Sequence, residues 1–600
     1  KATGATKGDG WIDIEGGFGT LFAYASRGRR EFPDETFYVD GPMEMISKGG
    51  TFVGRHICVP LEGAAVHINA FNFPVWGMLE KLSTSLLAGV PSITKPATVT
   101  SFLTESVARA MVESGILPPG AFQLLCGSAG DLLDHLDCQD AVAFTGSAVT
   151  GHKLKMGSAM VEHSVRFNQE ADSLNFSMLG PDARPGTDEF DLFIKEVVRE
   201  MTVKAGQKCT AIRRTIVPEP VVENVIAALK KRLDGVTIGD PSCEGVRMGP
   251  LAGKTQVREV GESVAKLRKA AEVVHGSFDS MRVVGADPER GAFFPTLLLY
   301  DDRPFERTAP HDVEAFGPVN TVMPYGSLDE AVSLVNLGRG SLVGSLFTAD
   351  AGTARTVVLG TAAYHGRIMI VDRTSAGEST GHGSPMPHLV HGGPGRAGGG
   401  EEMGGVRGVL HYMQRTALQG SPTVLSKITH EWLPKAAETG DRVHPFRKHF
   451  EELAIGETLH THRRTVTEAD VVNFAGISGD FFYAHMDDIA AKESIFERRV
   501  AHGYFVLSAA AGLFVDPAPG PVLANYGLEG LRFVKPVYIG DTIQARLTCK
   551  QKTIKEDRDG QVPQGVVAWD VEVTNQDGEP VAVYTILTLV RRLAGRLAAM

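Results

Sequence analysis

The first two thirds of the chain alternate short strand-like runs with helix-like segments, and that alternation restricts the fold to a largely parallel α/β sheet. Ser101 to Glu113 has the spacing of an amphipathic helix and stops at Gly115. Ala141 to Phe144 is a short apolar strand that runs into a turn at Thr145-Gly146-Ser147. Pro220 opens a helix with Val222, Val225, Ile226, Leu229 and Leu233 on one face, and Gly235 ends it. Proline suits a helix start because the N–H it lacks would be unpaired there anyway, and glycine suits the position just past the end. From about Pro445 the pattern changes. Gly503 to Phe514 reads as an apolar helix, and Thr542 to Lys555 and Val566 to Thr574 read as strands. Asn575-Gln576-Asp577-Gly578 makes a hairpin turn, from which Val581 to Leu589 returns. This part predicts a long antiparallel sheet able to wrap its helix. Between the two parts lies His391 to Gly405, HGGPGRAGGGEEMGG. A phosphate loop would follow a strand and open a helix; this stretch has neither neighbour, so it reads as a mobile surface loop. Gln419 to Val443 reads as a connector, and no internal repeat is visible.

At 600 residues the chain has room for several cores, and 43% hydrophobic with 22% charged residues is ordinary for a globular protein. A net charge of −11 argues against a nucleic-acid surface, although a local basic pocket for a phosphorylated cofactor is compatible with it. Cys58, Cys126, Cys138, Cys209, Cys243 and Cys549 form no CxxC pair, which disfavours a disulfide framework or a zinc site and suits a reducing cytoplasm. His460-Thr461-His462 is a strand-spaced pair without a clear third ligand, so no metal is expected. No apolar run approaches the ~18 residues a membrane helix needs. The chain begins at Lys1 without a signal peptide, and further N-terminal residues are expected to precede it.

Several residues carry candidate chemistry. Cys209 sits among small and polar neighbours in Ala205-Gly206-Gln207-Lys208-Cys209-Thr210, a setting that suits an exposed, activated thiolate better than a core thiol; alone it leaves both readings open. Glu170, in Asn168-Gln169-Glu170-Ala171-Asp172-Ser173, is either a surface acid or a base. Asn72, in Phe71-Asn72-Phe73-Pro74, either caps a turn or donates to a developing oxyanion. Phe144-Thr145-Gly146-Ser147, followed by Gly151, is a glycine turn between strand and helix that can hold a dinucleotide, although its spacing is not the common one. In the last part, Ser478-Gly479-Asp480 precedes His485 by five residues and Asp480 to His485 can face one water, or be a turn acid and a surface histidine. His502-Gly503, with Ser508 beyond, can aim a backbone N–H at a carbonyl oxygen from a helix start, or Gly503 can merely permit a tight turn.

Taken in order, Asn72-Phe73-Pro74, Lys95-Pro96, Phe144-Thr145-Gly146-Ser147, Glu170, Gly206-Gln207-Lys208-Cys209 and Glu314-Ala315-Phe316-Gly317-Pro318-Val319 resemble the aldehyde dehydrogenase superfamily over roughly residues 1–420. The resemblance implies a Rossmann-like cofactor domain plus an α/β catalytic domain. It makes Cys209 the nucleophile, Asn72 and the Cys209 backbone N–H the oxyanion donors, and Glu170 the base that activates water. Lys95, Thr98, Gly146, Ser147, Gly151, Glu314 and Phe316 become the cofactor-binding residues. Two departures stand out. Thr98 replaces a glutamate that NAD-preferring members often carry, and without that acid a 2′-phosphate is not repelled, which predicts NADP over NAD. The usual Glu-Leu-Gly-Gly around the base reads Glu170-Ala171-Asp172-Ser173.

After a linker at 421–444, residues 445–600 resemble the MaoC-like (R)-specific enoyl-CoA hydratases of hot-dog, α+β fold, through Ser478-Gly479-Asp480, His485, His502-Gly503 and Arg532-Phe533-Val534-Lys535-Pro536. That resemblance makes Asp480 and His485 the catalytic pair, Gly503 the thioester oxyanion donor and Ser508 a helper. Phe481-Phe482-Tyr483-Ala484 replaces the usual Asn-Pro between the pair, which points to a reshaped pocket. The order of the two domains is similar to that of the bifunctional ring-opening enzymes of bacterial phenylacetate degradation. It implies a CoA-thioester substrate, no nucleic-acid or membrane partner, a cytoplasmic location and a dimer-based homo-oligomer, up to a trimer of dimers. An ordinary enoyl-CoA hydratase, or a binding or assembly domain, stands as the alternative for the second part.

Overall fold

The computed structural model describes residues 3–593. By its internal contacts the chain divides into two compact units, Lys1–Phe32 with Val59–Gln414, and Pro33–Cys58 with Arg415–Met600. The first unit holds two large, mostly parallel sheets. In the five-stranded one the spatial order is Phe122–Leu124, Ser92–Lys95, Ala65–Ile68, Ala141–Thr145, Arg166–Glu170, all parallel. The chain adds strands to one side of Ala65–Ile68 and then to the other, so the loops leaving Ala65–Ile68 and Ala141–Thr145 part company. A crevice at the carboxyl ends of such strands is where open α/β sheets take their ligands. The seven-stranded sheet runs Glu272–His275, Leu297–Tyr300, Val319–Tyr325, Arg214–Pro218, Phe176–Leu179, Ser341–Phe347, His365–Val371, parallel except at its first pair. Every residue of Ser341–Phe347 and of Arg214–Pro218 is buried, as parallel strands covered on both faces require.

The elements expected from spacing are present. Ser101–Glu113 is a helix, Ala141–Thr145 a strand, and Val222–Leu233 a helix that buries Val222, Val225, Ile226, Leu229 and Leu233 behind a short 3-10 turn containing Pro220. In the second unit a six-stranded antiparallel sheet runs Thr458–His460, Thr542–Ile554, Gln564–Thr574, Pro580–Arg591, Val522–Phe533, with Arg464–Thr465 also paired to Thr542–Ile554. Gln564–Thr574 alternates buried and half-buried residues without a break, so one face is committed to the core. That face packs on helix Gly503–Phe514, where Phe505, Val506, Ala509, Ala510, Leu513 and Phe514 join Leu547, Val567, Trp569 and Val571 in one cluster. Full burial of each larger side chain stabilises the unit by about 2 kcal/mol. This is the hot-dog arrangement. The segment 421–444 carries helix Pro422–Thr429 and buries Trp432 and Leu433.

The glycine-rich stretch departs from the sequence reading, because it is not a mobile surface loop. Val390–Gly392 pairs antiparallel with Glu401–Met403, and His391, Gly392, Gly393, Ala397, Glu402 and Met403 are buried. The stretch docks on the strand that ends at Glu170: Gly400 N–H donates to Gln169 O (3.1 Å), Ala171 N–H to Ala397 O (2.9 Å) and Glu401 N–H to Asn168 Oδ1 (2.8 Å). Glycine serves close approach here, not freedom. A Cβ on Gly398 or on Gly400 would stand 2.3 Å from Gln169 O, and Gly398 has φ +109°. Gly399 also has positive φ, yet nothing lies within 4 Å of its would-be Cβ. We expect Gly399→Ala to cost only about 1 kcal/mol of backbone strain. Gly398→Ala should cost several times more, since a backbone carbonyl cannot yield. Thermal unfolding of the two variants checks this, with aldehyde oxidation lost in Gly398→Ala before Gly399→Ala.

Candidate active sites

Cys209 sits in the loop between helix Asp188–Thr202 and strand Arg214–Pro218. The loop leaves the helix through three successive residues of positive φ, Lys204 (51°), Ala205 (52°) and Gly206 (68°). Gly206 is obligatory, because a Cβ there would meet Gly317 O at 2.2 Å. This contact joins the Gly206-to-Cys209 motif to the Glu314-to-Val319 motif. Arg213 fastens the same junction: its guanidinium donates to Gly206 O (3.0 Å), Lys208 O (3.2 Å) and Gly317 O (2.8 Å). The Asn175 amide donates to Cys209 O (2.7 Å) and Ala211 O (2.9 Å). Lys208 is buried against Glu200, with Nζ 2.7 Å from Oε1. Arg213 and Asn175 were not foreseen from sequence; their work is on main-chain carbonyls, which leaves no spacing to read.

One pocket gathers Asn69, Asn72, Phe73, Trp76, Glu170 and Cys209, so the expected nucleophile, oxyanion donor and base meet. Lys81 and His391 line it too. Glu170 closes strand Arg166–Glu170 and is buried, and His391 Nε2 lies 3.3 Å from its Oε2. On helix Trp76–Leu87, buried Lys81 reaches Glu402 (3.1 Å), Glu80 (3.3 Å) and Thr145 Oγ1 (2.8 Å). Burial opposes the Lys81 charge, but Glu402, Glu80 and Glu170 outweigh it and hold its pKa above the usual value. Burial likewise works against ionised Glu170, yet the charge and hydrogen bond of His391, then Lys81, then the Cys209 thiol, hold its carboxyl below the ordinary range. Burial first, and then the charge and hydrogen bond of Glu170, push the Cys209 thiol well above its ordinary value. The expectation of an exposed, activated thiolate is therefore corrected: Cys209 is half-buried and, beside an ionised carboxylate, is a thiol.

The expected cofactor residues fall largely at carboxyl ends of the five-stranded sheet. Lys95 ends its strand, Thr98 is exposed at the following turn, and Gly146 and Ser147 follow Thr145. Ser147 caps helix Ala148–Lys155. These donors, set around the switch in strand order, fit a dinucleotide. Asp172 Oδ1 accepts the Ala148 N–H (3.0 Å), so that helix-start donor is already engaged by the protein. Gly151 is buried, and a Cβ on it would stand 2.6 Å from Gln169 Nε2, which makes it a packing residue rather than part of the crevice wall. Glu314 is half-buried, with Oε2 accepting from Ser173 N–H (3.1 Å) and Oε1 3.4 Å from Arg213 Nε. Burial pushes its carboxyl up to about 7 against the opposing charge of Arg213. Phe316 meets Phe71 edge-on with ring centroids 6.0 Å apart.

In the second unit, helix Glu468–Ser478 ends at Gly479 (φ 76°), and Asp480 follows in a turn where its Oδ1 accepts from Phe482 N–H (3.2 Å). His485 Nδ1 bonds Val500 O (2.7 Å), which makes Nδ1 the protonated nitrogen and leaves Nε2 as a base. Burial holds the His485 pKa below its ordinary value, with nearby His502 adding to the effect. The His502 ring stacks on His485 at 3.9 Å and its Nε2 bonds Asp480 O (2.9 Å). Nitrogen and carboxylate atoms of Asp480, His485 and His502 lie within 4.8 Å of one another, so the pair read from sequence does face one point. Gly503 is the first residue of its helix, and a Cβ there would meet the Phe533 ring at 2.6 Å. Ser508 is exposed and donates to Tyr504 O (2.8 Å).

The raised thiol gives a direct test. Alkylation of Cys209 in cofactor-free protein should still be rising with pH beyond the ordinary thiol range, because the thiolate forms only as pH climbs through a raised pKa. Glu170→Gln removes the neighbouring charge, so it should speed alkylation at mildly alkaline pH while crippling turnover. Mass-spectrometric labelling rates of the Cys209 peptide measure this; a wild-type rate that levels off near neutrality contradicts it.

Comparison with known proteins agrees with this geometry. Residues 1–418 match the aldehyde dehydrogenase family and residues 450–570 the MaoC-like domain. The chain is 58% identical over 312 residues to "Protein MaoC" of Klebsiella aerogenes, covering 52% of this chain and 91% of that protein. It is 47% identical over 394 residues to the 3,4-dehydroadipyl-CoA semialdehyde dehydrogenase of Aromatoleum evansii, covering 66% of this chain and 76% of that protein. Among solved structures, betaine aldehyde dehydrogenase of Staphylococcus aureus in complex with NAD+ superposes with a TM-score of 0.59 at 22% identity, covering 70% of this chain and 77% of that one, a likeness of fold. The two-domain order together with these relatives is of the PaaZ type. The chain belongs to the aldehyde dehydrogenase family and carries a MaoC-like domain behind its dehydrogenase part.

Proposed function

We propose that the chain is a bifunctional ring-opening enzyme. The MaoC-like domain, residues 445–600, hydrolyses oxepin-CoA to 3-oxo-5,6-dehydrosuberyl-CoA semialdehyde. The dehydrogenase domain, residues 1–420, oxidises that aldehyde to 3-oxo-5,6-dehydrosuberyl-CoA with NADP. The observation that supports this reading is the coexistence of two clusters, Cys209 with Glu170 and Asn72 in one pocket, and Asp480 with His485 close to one point. A relative whose name gives a CoA-linked semialdehyde as its substrate supports the same class of aldehyde.

The chemistry follows from the groups. In the second unit the Asp480 carboxylate and His485 Nε2 can take a proton from one water, whose oxygen adds to the β-carbon of the unsaturated thioester, and return that proton to the α-carbon. Gly503 N–H at the helix start steadies the thioester oxygen. In oxepin-CoA the β-carbon carries the ring oxygen, so the adduct is a hemiketal that collapses to a ketone and an enol, and the enol becomes an aldehyde. In the first unit the Cys209 thiol gives its proton to Glu170, which passes it to solvent, and the sulfur adds to the aldehyde carbon while the Asn72 amide and the Cys209 N–H hold the oxygen. The nicotinamide, when bound by Lys95, Ser147 and Glu314, supplies the hydride acceptor. Glu170 takes the proton of the water that releases the acid. Exposed Thr98 puts no acid where a 2′-phosphate would lie, which supports NADP.

Asp480→Asn should abolish ring opening of oxepin-CoA and leave oxidation of a supplied aldehyde intact, whereas Cys209→Ala should do the reverse and let the semialdehyde accumulate. Mass spectrometry of semialdehyde and acid, with and without NADP, separates the outcomes. Loss of both activities in Asp480→Asn contradicts separable sites, and crotonyl-CoA hydration rivalling oxepin-CoA turnover favours an ordinary hydratase. On cofactor choice, a kcat/KM for NAD more than tenfold above that for NADP would overturn the preference argued from Thr98.

A further inference from the structure

His391 comes from the glycine-rich stretch that no role in the reaction has absorbed, and it touches the catalytic carboxylate. Its Nε2 is 3.3 Å from Glu170 Oε2, both side chains are buried, and both line the Cys209 pocket. Glu170 Oε1, by contrast, has no hydrogen-bond partner among the described residues. The two carboxylate oxygens are therefore unequal, one anchored and one free. We propose that His391 is a positioning residue for thioester hydrolysis: it grips Glu170 Oε2 so that Oε1 is presented, ionised, to the water that attacks the Cys209 thioester. The inference rests on the reading of Glu170 as the hydrolytic base.

The surroundings explain why such a grip is needed. Facing Glu170 and His391 are Glu80 and Lys81 from helix Trp76–Leu87, Glu402 from strand Glu401–Met403, and Cys209 from its loop. Three carboxylates are buried with one lysine. Lys81 is already shared between Glu402 and Glu80, so without a second cationic donor Glu170 would keep its proton. A protonated Glu170 cannot accept one from water. In the step itself a water O–H bond breaks, the oxygen bonds to the thioester carbon, and the proton passes to Glu170 Oε1. The carbon–sulfur bond then breaks and that proton goes on to the departing Cys209 sulfur. No electrons leave the acyl group in this half of the cycle, and His391 ends as it began, donating to Oε2.

The step at which His391 acts distinguishes this from a structural role. Rapid mixing of holoenzyme, aldehyde and NADP should give a burst of NADPH from acyl-enzyme formation followed by slower turnover. In His391→Phe, which keeps a ring but has no donor, the burst should persist while the steady-state rate falls at least about tenfold. Losing the cation lets burial and the neighbouring carboxylates raise the Glu170 pKa, so the acid limb of kcat should move to higher pH. His391→Gln restores a neutral donor and should recover part of kcat, and it carries the test should the phenylalanine variant not fold. A kcat and an acid limb both unchanged from wild type overturn the proposal. So does a burst that falls in parallel with turnover in a variant with wild-type unfolding temperature, since that places His391 before hydrolysis. Retention of aldehyde oxidation by Cys209→Ala would instead sink the parent reading, whatever the His391 variants do.

Discussion

Five ionisable side chains, Glu80, Lys81, Glu170, His391 and Glu402, are buried together beside Cys209, and the architecture around them is what that burial demands. An isolated carboxylate in such a place costs several kcal/mol and sheds its charge. A pair survives only where its partners arrive with good geometry, and removing one partner is worse than having neither. The five groups come from different parts of the chain: a helix at 76–87, a strand ending at 170, and the two short strands of the glycine-rich stretch. Their convergence therefore ties these elements to one another. The glycines are a consequence. His391 and Glu402 can reach Glu170 and Lys81 only if the intervening chain lies directly on Gln169, and Gly398 and Gly400 are what allow its backbone to come that close.

A second constraint acts on the nucleophile loop. Lys204 and Ala205 hold left-handed conformations that cost non-glycine residues roughly 1–2 kcal/mol each. The strain is offset locally. Asp9 Oδ1 accepts the Lys204 N–H at 3.0 Å, and Arg213 and Asn175 gather the carbonyls that follow. The result is a main chain that turns sharply enough to put Cys209 in the pocket with Glu170 and Asn72. Because burial and then the acidic neighbours disfavour the thiolate, the thiol stays protonated at rest, so the groups that the proposed hydrolysis depends on also restrain the sulfur.

This division between local and distant causes sets what was legible in the sequence. Helices Ser101–Glu113 and Gly503–Phe514 follow from periodicity and boundary residues within a dozen positions, and they appear with the bounds expected. Cys209, Glu170 and Asn72 were assigned through motif order, and the pocket does bring them together. Lys81 and Glu402 were missed because they are 321 residues apart, and nothing near either residue announces the 3.1 Å hydrogen bond between Lys81 Nζ and Glu402 Oε2. A lysine inside the apolar run Trp76-Gly77-Met78-Leu79-Glu80-Lys81-Leu82 was the one available hint. His391 was hidden by its glycines, since a glycine that permits freedom and one that permits close approach look alike until the opposing backbone is known. The assignment of residues 33–58 to the second compact unit depends on similarly distant contacts.

The second site solves the problem of holding a base in a different way. Asp480 is exposed and needs no counter-ion; a helix end, Gly479 and its own turn fix its direction. His485 is kept neutral by partial burial and by nearby His502, while Val500 O selects the nitrogen left free. Local hydrogen bonds suffice there because water remains at hand to solvate the acid. In the dehydrogenase pocket the proposed base, Glu170, is withdrawn from solvent and is held ionised by other charges. The two sites thus differ in sequence legibility for the same reason that they differ in chemistry: an exposed base can be built from a few neighbouring residues, whereas a buried one draws its support from across the unit.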